Sequence, residues 1–160
     1  MLATRARRVF GSRINRLMHV YWRFSRGVTL GVRALVTNER GEIFLVKHSY
    51  VAGWHLPGGG VEPGETVPEA LGRELMEEGN IALSGPPSLH AIYFNDRASN
   101  RDYVALFVVR AFHQTEAPQP NREIIEHGFF APHALPAGIT DGTARRIAEV
   151  LEGRPAAPVW

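Results

Sequence analysis

With 160 residues, 44% of them apolar and 21% charged, the chain has the size and balance of one soluble globular domain rather than a disordered or fibrous protein. It holds no cysteine and no apolar run near the roughly 20 residues of a membrane span, which excludes disulfides, thiolate zinc sites and a spanning helix. The net charge of +2 hides a split: seven of the 18 Lys and Arg residues lie in residues 1–26 with no acid among them, leaving 11 bases against 16 acids, about −5, in the remainder.

The predicted elements begin with a basic amphipathic helix over residues 9–25. Phe10, Ile14, Leu17, Tyr21 and Phe24 fall on one face at helical spacing, and Arg8, Arg16, Arg23 and Arg26 on the opposite side. Arginines interrupt every apolar run in this segment, so no secretion signal is read and a cytoplasmic location is expected. An apolar face of this size calls for a partner: the chain's own domain, a second subunit in a homodimer, or an anionic membrane surface. No specific DNA binding is expected.

A β-branched, aliphatic stretch at residues 29–37 reads as a strand, residues 38–41 as a turn, and residues 42–48 as the return strand. A helix is expected over residues 67–78. Thr66 can cap it, Glu69 completes a capping-box pattern, and Pro68 falls in the first turn. Further strands are read at residues 89–95, 103–112 and 126–131, with loops at 96–102 and 117–122. A second helix spans residues 141–151, stopped by Gly153 and the prolines beyond it. Strands interleaved with two helices predict a mixed sheet with helices on its faces, in three parts: the basic helical segment 1–27, a domain 28–153 and a proline-containing tail 154–160.

Chemistry concentrates in residues 59–81, GGVEPGETVPEALGRELMEEGNI. Glu74, Glu77 and Glu78 stand at i, i+3 and i+4, so three carboxylates share one helical face. Like charges that close repel, and a hard divalent cation removes the repulsion. All-oxygen ligands favour Mg2+ or Mn2+ over zinc. Val67, Leu71 and Leu75 form the helix's apolar side, which fixes the acidic face in space. Gly58, Gly59 and Gly60 allow a tight turn, a close approach to a ligand and carbonyls aimed at a metal.

The spacing of Gly59, Glu65, Arg73-Glu74-Leu75 and Glu77-Glu78, entered through Gly53-Trp54-His55-Leu56-Pro57-Gly58, resembles the Nudix box. The resemblance extends more loosely over residues 28–152. It implies an α/β/α sandwich around a mixed sheet and metal-dependent hydrolysis of a diphosphate linkage in a nucleotide-like substrate. Nucleoside triphosphates, nucleotide sugars, dinucleoside polyphosphates and RNA 5′ ends all fit. By the same resemblance, Glu74, Glu77, Glu78 and the Gly58 carbonyl are metal ligands, and Arg73 with Glu65 orients Glu74. The general base is Glu74 or an acid outside the box, for which Glu123 and Glu126 are candidates. The pattern departs from the family at Asn80, where glycine is usual. Asn80 is expected to end the helix with positive φ, unless Gly79 turns one residue earlier.

Substrate contacts are open among Tyr50, Trp54, Tyr93 and Phe94 for stacking and Arg33, Lys47, Arg97 and Arg101 for phosphates. Each aromatic reads equally as core, and each cation as a solvated side chain. His48 and His55 are not read as ligands. The alternative function is a nucleotide-sensing module that has kept the fold without cutting. The complete glutamate set argues against it.

Overall fold

The computed structural model describes Tyr21 and residues 25–119 and 122–160. The basic helix expected at residues 9–25 lies outside the described residues except for Tyr21 and Ser25. Among the described residues, no helix is long and apolar enough to cross a membrane.

The chain runs β1 (Thr29–Val36), β2 (Ile43–His48), α1 (Val67–Gly79), β3 (Ala82–Leu83), β4 (Ser88–Phe94), β5 (Asp102–Val109), β6 (Phe112–His113), β7 (Ile124–Phe130) and α2 (Asp141–Glu152). Strand β5 is central to a three-stranded mixed sheet, parallel to β1 and antiparallel to β4. β2 pairs antiparallel with β7, and the two-residue strands β3 and β6 pair with each other.

Side chains alternate between two cores, as the pleat requires. Ala34 and Val36 of β1, Phe44 and Val46 of β2, and Ala105, Phe107 and Val109 of β5 pack with Ala70, Leu71 and Leu75 of α1. Leu35, Ile43, Leu45 and Leu106 point the other way, into a core with Trp54, Leu56, Tyr93 and Ile147 of α2. Burial on both faces explains why these strands read as continuous apolar runs. The result is the expected α/β/α sandwich.

One pairing differs from the expectation. The return strand exists, but it does not form a hairpin with β1; the two share only the bridge Thr37–Ile43. The segment before α1 lies along the edges where they would meet. The Val32 and Ala34 amides donate to the Gly59 and Pro57 carbonyls (2.8 and 2.9 Å), and the Val61 amide donates to Leu30 (2.9 Å). On the other side, Val46 and His55 exchange backbone hydrogen bonds. The loop carrying Gly58–Gly60 is thus stitched to β1 at one end and to β2 at the other, which leaves β2 to pair with β7.

The C-terminal residues pack on the domain. Val159 bridges Phe94 in parallel, the Trp160 amide donates to the Phe94 carbonyl (3.0 Å), and the Trp160 ring stands edge-on to Tyr93. Arg146, fully buried, stacks on Tyr93 and donates to Glu149 and to the Val159 carbonyl.

Candidate active site

Local rules set the helix that carries the acids. Thr66 accepts from the Glu69 amide while the Glu69 carboxylate accepts from the Thr66 amide, a closed capping box. At the other end Asn80 sits at φ 51°, and Gly79 stays helical. The amide of Asn80 donates back into the helix and its Nδ2 donates to the Glu116 carbonyl (3.0 Å). Asparagine therefore supplies both the left-handed turn and a tether to a neighbouring loop, which accounts for the departure from glycine.

Two glycines are required by close approach. Gly58 has φ 136°, and a Cβ there would lie 2.1 Å from the Val32 carbonyl oxygen. A Cβ on Gly59 would lie 2.4 Å from a carboxylate oxygen of Glu74. The loop thus passes directly over the acidic face.

On that face the glutamates meet different surroundings. Arg73 is a clamp. Its Nε and Nη2 donate to Glu65 (2.9 and 3.1 Å), its Nη1 to Glu74 (2.7 Å), and its Nη2 to the Gly60 carbonyl (3.0 Å). The hydrogen bonds to Glu65 and Glu74 raise the guanidinium pKa, and the same bond holds Glu65 below the ordinary carboxylate range. Glu77, more exposed, reaches Arg73 at 3.4 Å.

Glu78 is buried, 5% exposed. Its Oε2 accepts from the Gly58 amide (2.7 Å). Burial drives its pKa up to about 7, and the Gly58 amide opposes that rise. Glu74, Glu77 and Glu78 line one concavity of about 370 Å³ with Glu123 and Ile124. The three box glutamates and the first outside acid are therefore brought together. Glu126 is not: it pairs across the β2–β7 ladder with Lys47 (2.6 Å). The Gly58 carbonyl accepts from Arg33, which also donates to the Leu56 carbonyl (3.0 Å).

His48, not read as a ligand from the sequence, lies beside these acids. His48, 4% exposed, has Nε2 3.5 Å from Glu78 Oε1, and one ligand atom each of His48, Glu78 and Glu123 lie within 4.8 Å of one another. Burial lowers its pKa to about 4, helped by the charges of Arg33 and His55, so the ring is neutral at pH 7. The available signal was its place at the end of an apolar strand, one residue past a charged Lys47. Four carboxylates around one concavity, with an orphaned buried imidazole at its edge, form a donor set that suits a divalent cation.

The aromatic candidates separate as well. Tyr93 and Trp54 are core, whereas Tyr50 is 70% exposed and donates its hydroxyl to Glu123 (3.0 Å). A second cavity, about 570 Å³, opens beside Gly59 and Gly60 and is lined by Leu30, Arg33, Arg97 and Trp160 among others.

A family pattern described as the NUDIX domain matches residues 27–151. A Bacillus subtilis (strain 168) protein named "Putative 8-oxo-dGTP diphosphatase" is 50% identical over 58 residues, 35% of this chain and 39% of the relative. An RNA pyrophosphohydrolase of Vibrio atlanticus (strain LGP32) is 38% identical over 52 residues, 32% of this chain and 30% of the relative. The matches thus span well under half of these curated relatives. Among solved structures, a MutT NUDIX hydrolase from Burkholderia pseudomallei shares 26% identity at a TM-score of 0.65, over 76% of this chain and 97% of that one.

Proposed function

Because this chain belongs to the Nudix family, matched over residues 27–151, we propose that it hydrolyses a diphosphate linkage in a nucleoside diphosphate-type substrate with the help of Mg2+ or Mn2+. The observation that carries this reading is the concavity where Glu74, Glu77, Glu78 and Glu123 converge. Solvated surface acids have no reason to converge on one hollow with one of them buried.

In this reading Glu74, Glu77 and Glu78 hold the metal. The metal, when bound, screens the diphosphate's negative oxygens and acidifies a water. The Gly58 amide fixes one oxygen of Glu78, so the other is presented to the concavity. Arg73, itself braced by Glu65, keeps Glu74 in one rotamer. Glu123 comes from a different element and enters the same concavity, so it is the acid placed to take a proton from the attacking water. Its hydrogen bond from Tyr50 orients it. Glu74, already committed to Arg73, is the weaker base. The cavity beside Gly59 and Gly60 takes the rest of the substrate, with Arg33 and Arg97 toward its negative groups and Trp160 as an apolar wall.

The relatives' names span 8-oxo-dGTP and RNA, so the test is a panel. Purified full-length protein with Mg2+ or Mn2+ is offered 8-oxo-dGTP, ordinary nucleoside triphosphates, a nucleotide sugar, a dinucleoside polyphosphate and triphosphorylated RNA, and the products are separated. Turnover of at least one, abolished by chelator, is expected. No turnover of any of them alongside measurable nucleotide binding would instead favour a sensor.

A further inference from the structure

The ring of His48 is buried, yet neither Nδ1 nor Nε2 has a hydrogen-bond partner. Buried imidazoles are ordinarily satisfied by a carbonyl, a hydroxyl or a carboxylate, so an orphaned pair calls for an explanation. A hydrogen bond to Glu78 does not supply it, because 3.5 Å is too long. The chain has nonetheless gone out of its way to place the ring. The β2–β7 register shifts between Lys47 and His48, so that His48 pairs with Ile124 beside Glu123. Glu78 Oε2 is held by the Gly58 amide, while Oε1 faces the ring.

We propose that His48 is a nitrogen ligand to a divalent cation shared with Glu78, with Glu123 left beside it as the proton acceptor. The geometry suits it: two ligand atoms each about 2.1 Å from one ion stand roughly 3.0–3.4 Å apart at octahedral or tetrahedral angles. His48 Nε2 and Glu78 Oε1 are 3.5 Å apart. The centre is then a mixed imidazole–carboxylate site, distinct in chemistry from the all-oxygen set Glu74, Glu77 and Glu78. Imidazole favours borderline transition ions such as Co2+, Ni2+ or Zn2+, and Mn2+, though it also takes oxygen, accepts a nitrogen donor more readily than Mg2+ does. This inference rests on the proposed reading of Glu78 as a metal ligand and adds a nitrogen donor and a metal preference to it.

The test uses Mn2+ as the probe on the full-length protein. Pulsed electron paramagnetic resonance of the Mn2+-loaded wild type is expected to show coupling to a 14N nucleus, lost in His48→Asn. Calorimetric titration is expected to show Mn2+ affinity falling at least tenfold in His48→Asn, with Mg2+ affinity changing less than threefold. Circular dichroism establishes that the variant is folded; should it not fold, loss of the 14N signal in a folded His48→Gln decides instead. Mn2+ binding that is lost in Glu78→Gln but carries no 14N coupling overturns the role of His48 and leaves the carboxylate site standing. Failure of the wild type to bind Mn2+, or binding untouched by Glu78→Gln, overturns the underlying metal reading as well.

Discussion

The two ends of the acidic face of α1 are built on opposite principles. Glu74 and Glu77 at the rim share a guanidinium that also grips Glu65. Glu78, one turn on, is buried against a backbone amide and a neutral imidazole. Same residue type and same helix thus give a rim whose carboxylates share one guanidinium and a floor whose carboxylate is buried beside a neutral imidazole. A buried carboxylate without a compensating positive charge is costly. Its pKa near 7 expresses that cost.

The largest effect tests the floor. Glu78→Gln is expected to lower turnover at least about 100-fold, more than loss of a ligand's outer partner does. The same variant, metal-free at pH 8, is expected to melt higher than the metal-free wild type, because it removes a buried charge. The sign follows from the raised pKa. The contribution of Glu78 to metal-free stability is fullest below the ordinary carboxylate value of 4.5 and is lost as pH rises through about 7. Bound metal must displace that proton, so affinity rises with pH up to about 7 and then levels. A lower melting temperature for the metal-free variant would show that Glu78 is not a strained charge.

Glu123 and Glu126, indistinguishable as loop acids in the sequence, separate next. Glu123→Gln removes the proposed base and is expected to cost about 100-fold in kcat, within the range for general base catalysis. Glu126→Gln breaks a half-exposed surface pair with Lys47 and is expected to change kcat less than about twofold. Equal losses would dissolve the distinction.

The rim is tested by Arg73→Ala. Loss of the clamp is expected to reduce kcat about 10- to 100-fold, with KM moving less, because it disturbs the bearing of Glu74 rather than a substrate contact. A change in KM alone would make Arg73 a substrate ligand.

What was legible in the sequence follows the range of the forces involved. The α1 helix was readable because everything that defines it is local: the Thr66–Glu69 box, the Leu71–Leu75 stripe and the i, i+3, i+4 glutamates. Strand positions were readable from apolar runs, their partners were not. The parallel pairing of β1 with β5 joins residues 73 apart, and the loop wedged beside β1 is not a local pattern. The place of His48 was unreadable for the same reason: a register shift against β7 sets it near acids 30 and 75 residues away. The packing of Val159 and Trp160 on β4 likewise depends on a surface the tail does not itself encode.

The smallest effect concerns the one position that departs from the family pattern. Asn80→Gly restores the usual glycine at φ 51°. Glycine relieves roughly 1 kcal/mol of the left-handed penalty that a side chain carries. It also removes the Nδ2 hydrogen bond to the Glu116 carbonyl, worth about 0.5–1.5 kcal/mol. The two nearly cancel, so Tm is expected to move by no more than a few degrees. The backbone donors that cap the helix, from Asn80 to Leu75 and Met76, survive the change. The Asn80 side-chain amide donates to the Glu116 carbonyl rather than to a carboxylate of the site. Turnover and metal affinity should therefore match the wild type within about twofold. A marked loss of turnover with Tm unchanged would mean that the tether to Glu116 sets the position of the helix end, and with it the bearing of Glu78 on the floor of the site.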